Sequence, residues 1–259
     1  DGLIWGFEIL TGDFSFFKRE FHQTYLPLPG GEVSAESPWR VATSYLQQAM
    51  GSEGLVVADQ LFGSRFKEEM PVIALQLEKN INTIKTSSCG RLFDAVAAIL
   101  GICQINTYDG QAAIELSELL VSEGLTAGGD YYPFSISDKE ISFLQMFPAL
   151  LRDVKDGSSK QKIARRFHNT LALAISSAVQ IITERTGFDT VALSGGTWLN
   201  PYLVKKTVQL LKEENLKVLL HHKVPPNDGG ISLGQAAITS WRWKNDVPGF
   251  TNAFAGNRA

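Results

Sequence analysis

The chain has 259 residues, 44% of them hydrophobic, which is enough for one large domain or two packed lobes. Its net charge of −3 comes from interspersed acidic and basic residues, so the sequence shows no basic patch for nucleic acid or an anionic membrane. Cys89 and Cys103 lack the spacing of a zinc site, no apolar run suits a bilayer crossing, and no signal peptide is visible, so we expect a reduced, cytoplasmic protein.

The N-terminal segment, residues 1–35, is predicted to start with a β-hairpin. Two stretches rich in Ile, Phe, Trp and Leu lie within residues 3–21 and flank "TGD", where Gly12 supplies the turn. The chain begins "DGLIWGFEIL", without a methionine and already inside a turn and strand, which suggests a piece of a longer polypeptide. We therefore expect the missing part to carry some of any active site.

Residues 36–187 are predicted to be mainly helical. One helix starts in "SPWRVATSYLQQAM", with Ser37 as N-cap and Pro38 at the first helical position. "MPVIALQLEKNI" is a second short helix, and "SSCGRLFDAVAAILGI" and "DGQAAIELSELL" are two more, each with a glycine near its start. The Gly- and Tyr-rich residues 121–137 favour a strand or two.

The strongest helix signal lies in "SSKQKIARRFHNTLALAISSAVQIITERTG". Apolar positions recur every three or four residues, Ser158 or Ser159 caps the start, and Gly187 ends the helix. Residues 188–243 then alternate strand, helix, strand and helix, which indicates a parallel βαβα unit. Residues 244–259 form a polar tail that contains Pro and Gly.

The stretch "VALSGGTWLN" joins a predicted strand to a predicted helix through Ser194, Gly195 and Gly196, with Asn200 at the helix start. Bare backbone amides at such a junction approach an anion more closely than bulkier residues allow. An ordinary tight turn explains the same residues. The stretch is not a nucleotide P-loop, because no Lys and Ser or Thr follow the second glycine.

Two carboxylates sit early in glycine-led helices, Asp94 in "SSCGRLFDA" and Glu115 in "DGQAAIELSELL". A carboxylate at this place can bind the ribose hydroxyls of a nucleotide, as in dinucleotide sites. A favourable interaction with the helix macrodipole is the alternative for each. Together the pair makes a ribose clamp conceivable.

Asn227 and Asp228 open a third loop in "KVLLHHKVPPNDGGISLGQAAI". Asp228 can cap the following helix through its side chain. A strand that feeds a Gly-rich loop at a helix start is also a good place to hold phosphate or a metal, and then Asp228 is a ligand. The local sequence leaves both interpretations open.

The histidines do not indicate a metal site by themselves. His221 and His222 are adjacent on a predicted strand, where neighbouring side chains point to opposite faces and do not easily chelate one ion. His168, in the long helix, is predicted to be a packed or interface residue. Acyl-enzyme chemistry is not indicated, since no Ser-His-Asp set can be argued without spatial proximity.

Several of these stretches together resemble, in order and approximate spacing, the C-terminal part of the HypF carbamoyltransferase family, which serves the maturation of nickel-iron hydrogenases. A looser likeness extends to the threonylcarbamoyl-adenosine tRNA modification family. The stretches are "DGLIWGFEIL", "SSCGRLFDAVAAILGI", "YDGQAAIELSELL", "RRFHNTLA", "VALSGGTWLN" and "HHKVPPNDGGISLGQAAI". The resemblance implies an α/β fold of the actin- and hexokinase-like ATPase superfold, with ribonuclease-H-like lobes, a mixed sheet flanked by helices, and residues 188–243 as the nucleotide-binding unit.

The resemblance also implies a chemistry and its residues. In the family, carbamoyl phosphate and ATP are converted through carbamoyl-adenylate, and the carbamoyl group passes to the C-terminal cysteine thiol of the partner HypE. By motif, the residues expected at the ribose and adenosine are Asp94, Gly110 and Glu115. Those expected at the nucleotide and its phosphates are Ser194, Gly195, Gly196 and Asn200. Asp228 and Asn227 are expected to be catalytic, and Asp228 and Asp1 are expected to bind a divalent metal (Mg, Zn or Fe).

The sequence also departs from the family pattern. The His-x-x-x-His pair that supplies the remaining metal ligands is absent from the 259 residues, so we expect this chain to be one lobe of the final site that does not turn over alone. Two alternatives stay open. One is a sugar or acetate kinase-like ATPase, and the other is a non-catalytic nucleotide-binding or partner-docking module.

Overall fold

The structure, a computed structural model, describes residues 2–121, 129–245 and 247. The strands are β1 (Glu8–Gly12), β2 (Phe17–Gln23), β3 (Leu26–Pro29), β4 (Thr83–Thr86), β5 (Ser135–Ser137), β6 (Glu140–Ser142), β7 (Thr190–Ala192) and β8 (Lys217–Leu219). The helices are α1 (Val33–Glu36), α2 (Pro38–Met50), α3 (Ser52–Phe62), α4 (Met70–Lys79), α5 (Cys89–Ile99), α6 (Gln111–Glu118), α7 (Met146–Lys155), α8 (Lys160–Thr186), α9 (Pro201–Glu213) and α10 (Ile231–Lys244). Short 3-10 turns lie at Gly196–Leu199 and Asp228–Gly230. None of the helices in the described ranges combines the length and apolar composition needed to cross a membrane.

The predicted N-terminal hairpin is confirmed by antiparallel pairing of β1 with β2. The prediction that Gly12 lies in the turn is wrong, because Gly12 ends β1, where it pairs with Phe17. A Cβ at Gly12 would lie 2.3 Å from the carbonyl oxygen of Phe16, so glycine lets the strands close tightly. The hairpin continues into a mixed sheet of order β1-β2-β6-β5, in which β2 and β6 are parallel.

The helical middle of the chain surrounds the hydrophobic core. Helix α2 packs on α5, and Trp39 of α2 stacks on Phe66 with ring centroids 4.4 Å apart. Ser37 precedes α2 as predicted, but its side chain makes no capping hydrogen bond. The sequence pattern did not predict α1, α3, α7 or the β3–β4 pair. Residues 122–128 of the predicted Gly- and Tyr-rich segment lie outside the described residues.

The long helix α8 begins and ends as predicted. The hydroxyl of Ser159 accepts a hydrogen bond from the Lys162 amide at 3.2 Å, which satisfies one of the unpaired N–H groups of the first turn. Gly187 ends the helix with φ +74°, a left-handed conformation that suits glycine. Buried side chains along α8 pack in the core, and the helix brings His168 beside Asn200 at the start of α9.

The C-terminal part forms the predicted parallel βαβα unit. Strands β7 and β8 pair in parallel, with α9 between them in the chain and α10 after them. Helix α10 has no buried residue, and it contacts the hairpin through Trp241, whose ring stacks on Phe14 at 5.9 Å. Of the tail predicted for residues 244–259, residue 246 and residues 248–259 lie outside the described residues.

Candidate functional site

Two loops leave the same edge of the β7–β8 pair. Ala192 pairs with Leu219, and the Leu193 amide donates to the carbonyl of Leu219 at 3.1 Å just beyond it. Both strands are parallel, so their carboxyl ends meet at one edge, where ligands bind in open α/β sheets. The strand predicted through His222 ends at Leu219 instead, and His221 lies in the second loop, with its Nε2 3.1 Å from the Ser194 hydroxyl.

The two loops are also joined by their backbones. The Gly195 amide donates to the carbonyl of Pro226 at 2.7 Å. This hydrogen bond connects the predicted phosphate loop, residues 194–200, to the loop that carries Asn227 and Asp228. The sequence places these groups about thirty residues apart, and the parallel pairing brings them together.

Asn227, and not Asp228, caps the 3-10 turn of the second loop. The Asn227 side-chain oxygen accepts a hydrogen bond from the Gly229 amide at 3.2 Å. The interpretation of Asp228 as the cap is therefore wrong for this structure. The carboxylate of Asp228 is exposed and makes no hydrogen bond or ion pair with the described residues.

The glycines of the two loops are required for different physical reasons. A Cβ at Gly230 would lie 2.9 Å from the carbonyl oxygen of Pro225, so the second loop needs glycine for its own packing. Gly195 has φ +113°, a backbone conformation that residues with a side chain rarely adopt. Gly196 has neither constraint, because no heavy atom of the described residues, apart from its two chain neighbours, lies within 4 Å of the place a Cβ would occupy. Its bare backbone is open to approach from outside the chain.

Asn200 is held by two contacts of its side chain. Its oxygen caps α9 by accepting from the Leu203 amide at 3.0 Å, and its Nδ2 donates to Nε2 of His168 at 2.8 Å. His168 is fully buried, and its Nδ1 donates to the carbonyl of Ala164 at 2.7 Å. Burial lowers the pKa of His168 to about 4, so its imidazole is neutral and its Nε2 is an acceptor. The predicted packed role of His168 is confirmed; its contact with Asn200 was not foreseen.

Asp94 is the most buried of the predicted ribose ligands. It is 1% exposed and lies beyond the first turn of α5, so the helix-macrodipole interpretation does not apply. Burial raises the pKa of Asp94 to about 6, against the opposing effects of Arg91 and Asn106. Arg91 Nε lies 2.9 Å from Asp94 Oδ2, yet its N–H is not aligned for a hydrogen bond. A buried carboxylate oxygen is thus left without a hydrogen-bond donor among the described residues.

Glu115 and Gly110 lie on the neighbouring helix. Gly110 is the N-cap of α6 with φ +74°, and Glu115 accepts a hydrogen bond from Gln111 at 2.7 Å. Like Asp94, Glu115 lies beyond the first turn of its helix, so the macrodipole interpretation does not apply to it either. The pKa of the Cys103 thiol is raised by burial and then by the charges of Glu115 and Asp94, which places both carboxylates near one thiol.

Helix α5 connects this carboxylate pair to the loops. At its start, burial raises the pKa of the Cys89 thiol to about 12, and Thr197 of the first loop, which lies beside the thiol, acts to lower it. Further along, the Phe93 ring meets the His168 ring edge-on at 5.3 Å, and His168 binds Asn200. The predicted ribose residues and the predicted phosphate loop are therefore parts of one packed arrangement.

The described residues alone do not form a complete metal site. Within residues 2–121, 129–245 and 247, no group of three or more His, Cys, Asp or Glu side chains is close enough to hold an ion. Asp228 supplies one exposed carboxylate, and the second predicted ligand, Asp1, lies outside the described residues. The ligand set predicted for a divalent cation is incomplete here.

Comparison with known proteins assigns the family. A sequence model described as "Carbamoyltransferase, Kae1-like Domain, second subdomain" matches residues 1–235. The chain is 33% identical to "Carbamoyltransferase HypF2" of Cupriavidus necator, over 95% of this chain and 32% of that protein. Most of the curated relatives it matches are about three times as long as the region matched.

Solved structures confirm the predicted fold class. The crystal structure of full-length HypF in the phosphate- and nucleotide-bound form matches with a TM-score of 0.84 and 34% identity, over 93% of this chain and 37% of that one. HypF of T. kodakarensis matches with a TM-score of 0.81 and 29% identity, over 95% of this chain and 32% of that one. The mixed α/β fold is thus that of the Kae1-like, ATPase-type domain. The chain belongs to the HypF carbamoyltransferase family, in which it corresponds to the second subdomain of the Kae1-like domain.

Proposed function

We propose that the chain provides the nucleotide-binding lobe of an ATP-dependent carbamoyltransferase. The observation that carries this proposal is the hydrogen bond from the Gly195 amide to the Pro226 carbonyl at 2.7 Å. It joins the open backbone of Gly196 to the loop of Asn227 and Asp228 at the carboxyl edge of a parallel sheet. Family membership supports the carbamoyltransferase assignment, and a solved relative is described as phosphate- and nucleotide-bound.

The ribose end of the nucleotide is assigned to Asp94, Gly110 and Glu115. Asp94 Oδ2 is buried beside Arg91 but has no aligned hydrogen-bond donor among the described residues, and leaving such an oxygen without a hydrogen bond costs free energy. A ribose hydroxyl that donates to this oxygen removes that cost. Glu115 is only partly buried, so it accepts a second hydroxyl while keeping its contact with Gln111.

The phosphate end is assigned to Ser194, Gly195, Gly196 and Asn200. Ser194 offers an exposed hydroxyl, and Gly196 an amide at the start of a helical turn with open space beside it. Gly195 and Asn200 support the loop. The Gly195 amide donates to the carbonyl of Pro226, and the side-chain nitrogen and oxygen of Asn200 are hydrogen-bonded to His168 and to the Leu203 amide. Amides oriented in advance stabilise negative charge on phosphoryl oxygens without proton transfer.

In the proposed reaction, carbamoyl phosphate, water and ATP yield carbamoyl-adenylate, phosphate and pyrophosphate. The carbamoyl group then passes to the C-terminal cysteine thiol of a HypE-like protein, which loses its proton as AMP is released. An acyl-adenylate must be shielded from water until the thiol arrives, so a second lobe or the docked partner is required to close the site. The described residues leave the loop edge open. Asp228, with Asn227 holding its turn, remains the candidate metal ligand; the other ligands are not supplied by the described residues.

Calorimetric titration of a non-hydrolysable ATP analogue with Mg²⁺ tests this proposal. We expect binding by the chain, weaker binding by Asp94→Asn, which changes one buried oxygen and keeps the shape, and a loss of the Mg²⁺ dependence in Asp228→Ala. A folded chain that binds no analogue, or binding that Asp94→Asn leaves unchanged, contradicts the proposal. Circular dichroism of each variant confirms that it is folded.

A partner-docking module is the second candidate, because α10 has no buried residue. Its exposed apolar side chains include Ile231, Leu233 and Trp243. A module that only docks is expected to bind a partner but no nucleotide, and Asp228→Ala is then expected to have little effect. The same titration distinguishes the two functions.

A further inference from the structure

We propose that His221 belongs to the phosphate-binding part of this site, where its imidazole orients the Ser194 hydroxyl toward a phosphoryl oxygen of the nucleotide. The inference rests on the proposed nucleotide function and adds a residue to it. His221 and Ser194 are 27 positions apart in the chain, and His221 Nε2 lies 3.1 Å from Ser194 Oγ.

The strand register explains why these two residues meet. Ala192 is opposite Leu219 in the parallel pair, so Ser194 and His221 each lie two positions beyond a paired residue. Side chains two positions apart along an extended chain share a face. The His–Ser contact therefore continues the ladder at its carboxyl edge. His222, the next residue, makes no hydrogen bond with residues 194–200 among the described residues.

The hydrogen-bond chemistry of the pair suits an anion. A serine hydroxyl has one hydrogen to donate. When His221 Nε2–H donates to Ser194 Oγ, that hydrogen is free for a phosphoryl oxygen beside the Gly196 amide. In the opposite arrangement the hydroxyl donates to the imidazole, and no hydrogen remains for the ligand. A negative ligand favours the first arrangement.

The surroundings of the pair support binding rather than nucleophilic catalysis. Both side chains are exposed beside a glycine backbone with open space around it. Among the described residues, no carboxylate contacts the Nδ1 of His221, so the third group of a catalytic triad is missing. The loop of residues 194–200 contains no Lys or Arg, so the exposed His221 imidazole supplies a hydrogen-bond donor beside Ser194 that the loop itself lacks.

The test compares the non-hydrolysable ATP analogue with adenosine, which has no phosphate, in calorimetric titrations of the whole chain. We expect His221→Ala to weaken binding of the analogue about tenfold and to change adenosine binding less than about twofold. His222→Ala is the matched control, since it removes an adjacent exposed imidazole that makes no hydrogen bond with residues 194–200 among the described residues, and both affinities are expected to stay within about twofold. His221→Gln, which keeps a donor, is expected to restore part of the lost affinity.

The outcomes separate this inference from the proposed function. If His221→Ala binds the analogue as the wild type does, or loses adenosine binding equally, the His221 assignment is wrong while nucleotide binding stands. If the folded wild-type chain binds neither compound, the proposed function fails and the His221 assignment fails with it. A second constraint comes from Ser194→Ala: adding His221→Ala to it is expected to cause little further loss, because the imidazole acts through the hydroxyl.

Discussion

The two halves of the candidate site are built in different ways. The ribose half lies on two packed helices, where Asp94 is 1% exposed and the surrounding side chains hold one another. The phosphate half lies on two exposed loops at a sheet edge, joined by the Gly195–Pro226 and Ser194–His221 contacts. Changes in the first half therefore alter folding and binding together, whereas most changes in the second alter binding alone.

His168 connects the two halves, and its removal is expected to have the largest effect. In His168→Ala a fully buried ring disappears and the Asn200 amide loses its acceptor, so we expect the free energy of unfolding to fall by about 3 kcal/mol. Urea denaturation measures this change, with His222→Ala as the exposed control, expected within about 0.5 kcal/mol. A loss below about 1 kcal/mol contradicts the role given to His168.

Asp94 is expected to make the stability depend on pH. Its folded pKa of about 6 lies above the ordinary 3.8, so the folded state holds the proton more tightly than the unfolded state. The contribution to stability is present below pH 4 and is lost as pH rises through 6, by about 2–3 kcal/mol. His168 acts in the opposite direction, because its folded pKa of about 4 lies below 6.5 and protonation favours unfolding as pH falls.

Comparison of the wild type with Asp94→Asn isolates this effect, since His168 is common to both. Urea denaturation at pH 4.5 and pH 7.5 is expected to show the variant gaining relative stability at the higher pH. A difference between the two proteins that stays constant with pH means that Asp94 is not a strained buried acid.

The two glycine loops provide a comparison within the exposed half. Gly230→Ala is expected to lower the free energy of unfolding by about 1–2 kcal/mol, because its Cβ meets the Pro225 carbonyl oxygen at 2.9 Å. Gly196→Ala has open space and is expected to change stability by less than about 0.5 kcal/mol, while it weakens binding of the ATP analogue severalfold. Thermal denaturation and calorimetry of both variants measure these effects. Equal analogue binding by Gly196→Ala and wild type removes the reason given for that glycine.

The smallest effect is expected for Glu115. It is partly buried and already paired with Gln111, so Glu115→Gln is expected to weaken nucleotide binding about threefold, with little change in stability. Glu118→Gln, on the same helix and exposed, is the control. If the two variants bind equally well, Glu115 does not contact the ribose.

Local signals in the sequence predicted the elements that depend on local chemistry. The bounds of α8 follow from Ser159 and Gly187, and the βαβα order follows from short apolar stretches that alternate with an amphipathic helix. The sequence did not predict the β3–β4 pair, because the two strands are separated by more than fifty residues and are each only four residues long.

The contacts that assemble the site are long-range, and for that reason the sequence did not reveal them. His168 and Asn200 are 32 positions apart, and the residue types alone give no sign that one accepts from the other. The same holds for Ser194 and His221, where the register of β7 on β8 decides the contact. The sequence shows Asp94 only as an early carboxylate of a glycine-led helix, whereas packing of α5 against α2 and α6 buries it. The roles of the predicted site residues toward a ligand stay predictions.

The central claim is that one nucleotide spans both halves of the site. Hydrogen exchange of the backbone amides, followed by mass spectrometry with and without the ATP analogue and Mg²⁺, tests it most directly. We expect slower exchange in two separate sets of peptides, one covering residues 89–118 and the other covering residues 193–200 and 220–231. Protection confined to one set, or found only in α10, contradicts a site shared between the packed helices and the exposed loops.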